Sequence, residues 1–251
     1  MIVALGLLVG SFLNVCIWRM PRNLSVVTPP SSCPKCNTKI KPWDNIPVLS
    51  YAILGGKCRK CGEPISLRYP MIEALNAALY WMVLWRYGMG LHLIALLPFV
   101  SALVVITFID LEFQIIPDEI SIGGAVLGLV AGALVLPDPF VRSVMLGWDG
   151  SLIGAASGFT AFFLIAIASN GGMGGGDIKM MAMVGAVLGW KGVFLTTLAG
   201  SMMGSIVGLY LMAMHGKGRK TKVPFGPFLA AGALLTLLAG QEIFNFIYGP
   251  H

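Results

Sequence analysis

Two aspartates in this sequence stand at the ends of apolar runs, and that placement decides which chemistry is open to the chain. Phe108-Ile-Asp110-Leu-Glu112 closes one run, and Asn170-Gly-Gly-Met-Gly-Gly-Gly-Asp177-Ile-Lys179 opens another. A carboxylate at membrane depth is expensive and marks function by default. Two of them about 3 Å apart share a proton, so one can take a proton from water while the other, neutral, polarises a carbonyl. That is the minimum equipment for hydrolysing a peptide bond. Gly174 and Gly176 leave room for an extended chain beside Asp177 and can reach positive φ without strain. A cation or proton relay would use the same groups, because carriers also set carboxylates at broken helices. Helix capping and pairing with Lys179 are the plain structural roles the residues could fill instead.

A second cluster is made of sulfur. Cys33-Pro-Lys-Cys36 and Cys58-Arg-Lys-Cys61-Gly62 are separated by 21 residues. Two such knuckles offer four thiolates to one Zn²⁺ and leave no open position for catalysis, so the site is expected to be structural. The polar segment around it is too short to hold a core alone, and metal binding would supply its folding energy. Cys16, inside an apolar run, reads as a packing residue.

The elements that must position these groups are membrane helices. The chain of 251 residues is 57% hydrophobic and 11% charged, with a mean hydropathy of +0.83. So little charge cannot clothe a soluble domain, and the composition is that of a polytopic membrane protein. Apolar segments fall at about 2–18, 70–87, 91–109, 120–136, 151–168, 178–191, 192–214 and 225–247, which predicts an all-α protein of about eight transmembrane helices. In the first of these the positive charge, Arg19 and Arg22, follows the run, which argues for a membrane span over a cleaved signal. Three parts are expected: a first helix over 1–18, a cytoplasmic zinc-ribbon-like insert over 19–69, and a membrane-embedded core over 70–251.

Lys and Arg orient the spans, since cytoplasmic loops are rich in them. With the N-terminus outside, fourteen of the 17 basic residues fall on the cytoplasmic side: nine over 19–69, Lys179, and Lys217, Arg219, Lys220 and Lys222. The net charge of +6 is therefore a topology signal and calls for no nucleic acid. The same orientation puts Asp110, Asp118 and Asp177 at the cytoplasmic boundary.

Several motifs resemble one family. Gly174-Gly-Gly176-Asp177 contains the Gly-x-Gly-Asp pattern of intramembrane aspartic proteases, and Ile109-Asp110-Leu-Glu-Phe-Gln-Ile-Ile-Pro117-Asp118 resembles the other aspartate motif of bacterial prepilin peptidases. Gly10-Ser-Phe-Leu-Asn14, Arg19-Met-Pro-Arg22, Asp44-Asn45-Ile-Pro and Arg68-Tyr-Pro-Met-Ile-Glu73 follow that family in its order, so the resemblance runs along the whole chain.

The resemblance implies that Asp110 and Asp177 are the catalytic pair, with Asp118 an alternative partner and Gly174, Gly176 and Lys179 in support. It implies a type IV prepilin or type II secretion pseudopilin as substrate, an inner-membrane location beside lipid, and an active site facing the cytoplasm. It also implies methylation of the new N-terminus with S-adenosylmethionine, for which Asn14, Arg19, Arg22, Asp44, Asn45 and Glu73 are candidates. The choice of pilin and the oligomeric state stay open.

Overall fold

The computed structural model describes residues 1–169, 172–215 and 224–249; Asn170, Lys217, Arg219, Lys220 and Lys222 lie outside these. Among the described residues the chain is helical and has no strand, only isolated bridges. It divides into two compact units, Met1–Gly88 and Met89–His251.

The first unit holds α1 (Ile2–Arg19), the short α2 (Leu49–Ile53) and α3 (Arg68–Tyr87). In lipid, apolar side chains gain little by leaving one apolar surface for another, so helices associate through close backbone approach and interhelical hydrogen bonds. Gly6 and Gly10, four apart on one face of α1, provide that approach. A Cβ on Gly6 would lie 2.6 Å from Ala77 Cα, and one on Gly10 2.7 Å from Glu73 Cα. Buried asparagines stitch the same seam: Asn76 Nδ2 donates to the Gly6 carbonyl (2.8 Å) and Asn14 Nδ2 to those of Gly10 and Tyr69 (3.2 Å each).

The second unit holds α4 (Leu93–Phe113), α5 (Asp118–Leu134), α6 (Gly147–Ala168), α7 (Gly175–His215) and α8 (Gly226–Tyr248). α7 is two rods meeting at Gly189, whose φ of 70° and ψ of 178° break the helix. α6 lies on the first rod backbone to backbone, with Gly154 facing Gly185 and Gly158 facing the Met181 carbonyl. Ser151, buried in α6, donates to the Ala186 carbonyl at 2.6 Å. The second rod packs on α8, where the buried Thr196 and Thr236 hydroxyls meet at 3.2 Å. α4 packs against both α5 and α8.

Each of the eight apolar segments lies mainly in a helix, the sixth running through the break in α7 at Gly189 and the seventh following it. Among the described residues five helices are long and apolar enough to cross a membrane: Ile2–Arg22, Leu93–Phe113, Gly147–Ala168, Gly175–Met214 and Gly226–Phe246. α3, with Glu73 buried in it and Arg86 in its last turn, and the 17-residue α5 are not among them.

The α6–α7 contact gives a direct test of this packing. Gly154→Val puts a side chain into the Gly185 backbone and should cost at least about 3 kcal/mol, the upper end of ordinary overpacking. Gly123→Ala, where a Cβ meets nothing within 4 Å, should leave stability unchanged or slightly raised. Thermal unfolding in detergent compares the two.

Candidate active site and metal centre

Asp110 occupies the last turn of α4 and is 6% exposed; Asp177 occupies the first turn of α7 and is 9% exposed. They come from helices with opposite ends at this point, and Ile116, just beyond the end of α4, packs on Gly176, the residue before Asp177, so both lie at the same end of the unit. Asp110 is held by the amide of a glycine at a helix start. Gly226, the first residue of α8, donates its N–H to Asp110 Oδ2 at 2.9 Å. A Cβ at Gly226 would lie 2.7 Å from that same oxygen, so only glycine lets the backbone come this near. The Asp177 N–H donates to the Gly174 carbonyl at 3.1 Å, just before the first residue of α7.

α4 ends at Gln114, in the left-handed region with φ 55°, whose N–H returns to the Asp110 carbonyl at 2.9 Å. The short link that follows reaches α5 at Asp118. Lys179 does not pair with Asp177: its Nζ lies 2.7 Å from both carboxylate oxygens of Asp118. Gly176, whose Cβ would stand 2.8 Å from that of Ile116, packs against the link. Asp110, Asp118, Gly174, Gly176, Asp177 and Lys179 thus gather at one end of the second unit. Gly226 and Ile116 belong to the same group and were not singled out by sequence reasoning. The signal for Gly226 was present in Pro224-Phe-Gly226-Pro227, a helix-start pattern opening the last apolar run.

The four cysteines form a second site, in the first unit. Their sulfurs all lie within 4.8 Å of one another, so they can hold a metal ion. The two knuckles repeat one backbone pattern. Asn37 N–H returns to the Cys33 carbonyl and Gly62 N–H to that of Cys58, both at 2.9 Å, with Asn37 at φ 53° and Gly62 at φ 71°. The hydroxyl and amide of Thr38 pull the Cys36 thiol down to about 6. The Glu63 amide favours the Cys61 thiolate, but desolvation and the three neighbouring sulfurs push that thiol up to about 12. One thiolate forms readily and the last does not, which is the situation a bound cation resolves. Cys16 is buried in α1, away from this cluster.

The six candidates for methyl transfer are dispersed through the first unit. Arg19 and Asn45 line one cleft of about 270 Å³, with Ser11, Phe12 and Pro29 also on its wall. The Arg19 guanidinium donates to the carbonyls of Ser25 (2.9 Å) and Pro29 (2.6 Å). Asn14 and Glu73 are buried at the α1–α3 seam instead. Glu73 Oε2 accepts the Val48 N–H at 2.7 Å, and Val48 sits at φ 60°, an outlying position for a β-branched residue. Asp44 pairs with Arg59 at 2.6 Å, tying the 42–44 turn to the second knuckle, and the Arg59 guanidinium holds its carboxyl below the usual carboxylate range. Arg22 lies over the Trp18 ring, 4.7 Å from its centroid.

A helical membrane protein that brings two buried carboxylates together at helix ends has the form of a membrane-embedded hydrolase. Comparison with known proteins makes the assignment specific. Residues 4–87 match the bacterial peptidase A24 N-terminal domain and residues 97–209 the type IV leader peptidase family. A prepilin leader peptidase/N-methyltransferase of Pseudomonas putida is 36% identical, over 96% of this chain and 90% of its own. Its namesakes in Bacillus subtilis (strain 168) and Legionella pneumophila are 35% and 32% identical, covering 96% and 97% of this chain and 94% and 92% of their own. No solved structure matches. The chain belongs to the type IV leader peptidase family.

Metal removal tests the thiolate cluster. The purified protein should carry one metal ion per chain, retained at neutral pH and released as acid reprotonates the thiolates. Chelation should open 19–69 to protease, and Cys33→Ser or Cys58→Ser should reproduce both effects. Metal analysis and limited proteolysis read the outcome.

Proposed function

We propose that this chain removes the leader of a type IV prepilin or type II secretion pseudopilin by water attack between Asp110 and Asp177, and then methylates the new N-terminus. The observation that supports the proposal is two buried carboxylates at helix ends on the same end of the second unit, Asp110 fixed by the Gly226 amide, in a chain of this family. One aspartate, ionised, takes a proton from water as the water oxygen bonds to the scissile carbonyl carbon. The other, neutral, donates to the carbonyl oxygen, which becomes the hydroxyl of a tetrahedral intermediate. Collapse of that intermediate breaks the C–N bond, with a proton passing to the departing nitrogen. The products are the leader's carboxyl group and the free amine of the mature pilin.

The arrangement in the membrane belongs to the same proposal: about eight spans with the N-terminus outside, a first helix over 1–18, the insert over 19–69, and the core over 70–251. The count of basic residues on the cytoplasmic side supports it. Lipid then meets the exposed apolar faces, such as Val126 and Val130 on α5. For the thiolate cluster we infer zinc in a structural role. A Zn–S bond of about 2.3 Å sets tetrahedral sulfurs about 3.8 Å apart, and Cys33 and Cys61 stand 3.8 Å apart. For the second activity S-adenosylmethionine supplies the methyl group. Arg19 and Asn45 would face it across their cleft, offering a cation for its carboxylate and an amide for its polar edges. No observation favours the carrier reading.

Cleavage of a purified prepilin in detergent is the test. Asp110→Asn and Asp177→Asn should each lose about ten-thousandfold in kcat, the scale for a catalytic group removed from a concerted set. Mass spectrometry should show the mature pilin gaining one methyl group only when S-adenosylmethionine is added. Either variant cutting within tenfold of wild type would sink the assignment of the pair.

A further inference from the structure

The ion pair between Asp118 and Lys179 joins the two aspartate motifs, and nothing in the hydrolysis itself calls for it. The link that runs from Asp110 touches α7 on both sides of Asp177. Ile116 packs on Gly176, the residue before Asp177, and Asp118 binds Lys179, two residues after it. The link is short. It starts at Gln114 in the left-handed region, with φ 55°, and ends at Pro117, with φ −62° and ψ 133°. Asp118 opens α5, and its carboxylate takes the Lys179 ammonium at 2.7 Å through each oxygen.

We propose that Asp118 and Lys179 are positioning residues: together with the Ile116–Gly176 contact they clasp the start of α7 to the link and so fix the separation of Asp110 and Asp177. The proposal rests on the reading of those two as the catalytic pair. A pure folding role accounts poorly for the pair, because both side chains are well exposed, 39% for Lys179 and 56% for Asp118. Ion pairs in that setting contribute little to stability. Catalysis by a pair of carboxylates is far more demanding, since a misplacement of about 1 Å can cost about a hundredfold in rate. An interaction too weak to hold the fold can therefore still govern the rate.

The test is prepilin cleavage by wild type, Asp118→Asn, Lys179→Met, Lys179→Arg and the exchanged pair Asp118→Lys with Lys179→Asp. Asp110→Asn and Asp177→Asn are run beside them. The two single neutral variants should fold with unchanged melting temperature and lose about ten- to a hundredfold in kcat with KM little altered. Lys179→Arg, which keeps the cation, should stay within a few-fold of wild type. The exchanged pair should recover most of the lost kcat, because it restores the attraction with its polarity reversed.

Wild-type kcat in both neutral variants would overturn the clasp, and so would an exchanged pair as slow as either single variant. If the exchanged pair fails to fold, Lys179→Arg against Lys179→Met decides: equal rates in the two overturn the proposal. If Asp110→Asn and Asp177→Asn still cut, the catalytic pair itself is wrong and the clasp falls with it. If they are dead while Asp118→Asn and Lys179→Met are unimpaired, only the clasp falls.

Discussion

A carboxylate removed from water needs a donor in return, and in a membrane helix bundle donors are scarce. Helices satisfy their own N–H groups everywhere except in the first turn. Asp110 uses that exception through the amide of Gly226. Much of the second unit follows from this need. The start of α8 must lie against the end of α4. Long helices can be brought to such a junction only if their flanks approach closely, which explains the backbone contact of Gly154 with Gly185 and the polar stitches at Ser151 and Thr196.

The two units solve different problems with different chemistry. In the second, precision comes from helix ends and small residues. In the first, the segment between α1 and α3 has no core of its own, and its order comes from the twin cysteine knuckles and a few charged ties. Asp44 binds Arg59 beside the second knuckle, and Glu73 reaches from α3 to the strained backbone of Val48. Such outlying backbone persists only where its surroundings over-determine it, and a buried carboxylate accepting the Val48 amide is a constraint of that kind.

Chemistry with fixed spacing was legible in the sequence, and chemistry assembled by folding was not. The knuckles could be read because Cys-x-x-Cys is a local geometry, and the aspartates because a carboxylate beside an apolar run is conspicuous. The helices were readable from hydropathy, including the two halves of α7 on either side of Gly189. What the structure adds is the helix bounds: by length and composition, α3, which carries charge, and the 17-residue α5 are not among the described helices apolar and long enough to cross a membrane. Gly226 escaped because its contribution is a main-chain N–H, which every residue but proline has. Asp118 was conspicuous, but the pairing of its carboxylate with Lys179 rather than with its own helix depends on how α5 and α7 are packed.

Because Asp110 is held by a peptide group and not by a side chain, the two functions of position 226 are separable in principle and joined in practice. The donor itself survives almost any replacement; what the position forbids is bulk, with only 2.7 Å between an added carbon and the carboxylate oxygen. Selection on the chemistry of this contact would therefore be recorded in the sequence as selection on size. A scan that trims side chains would pass over it entirely, finding at Gly226 nothing left to remove.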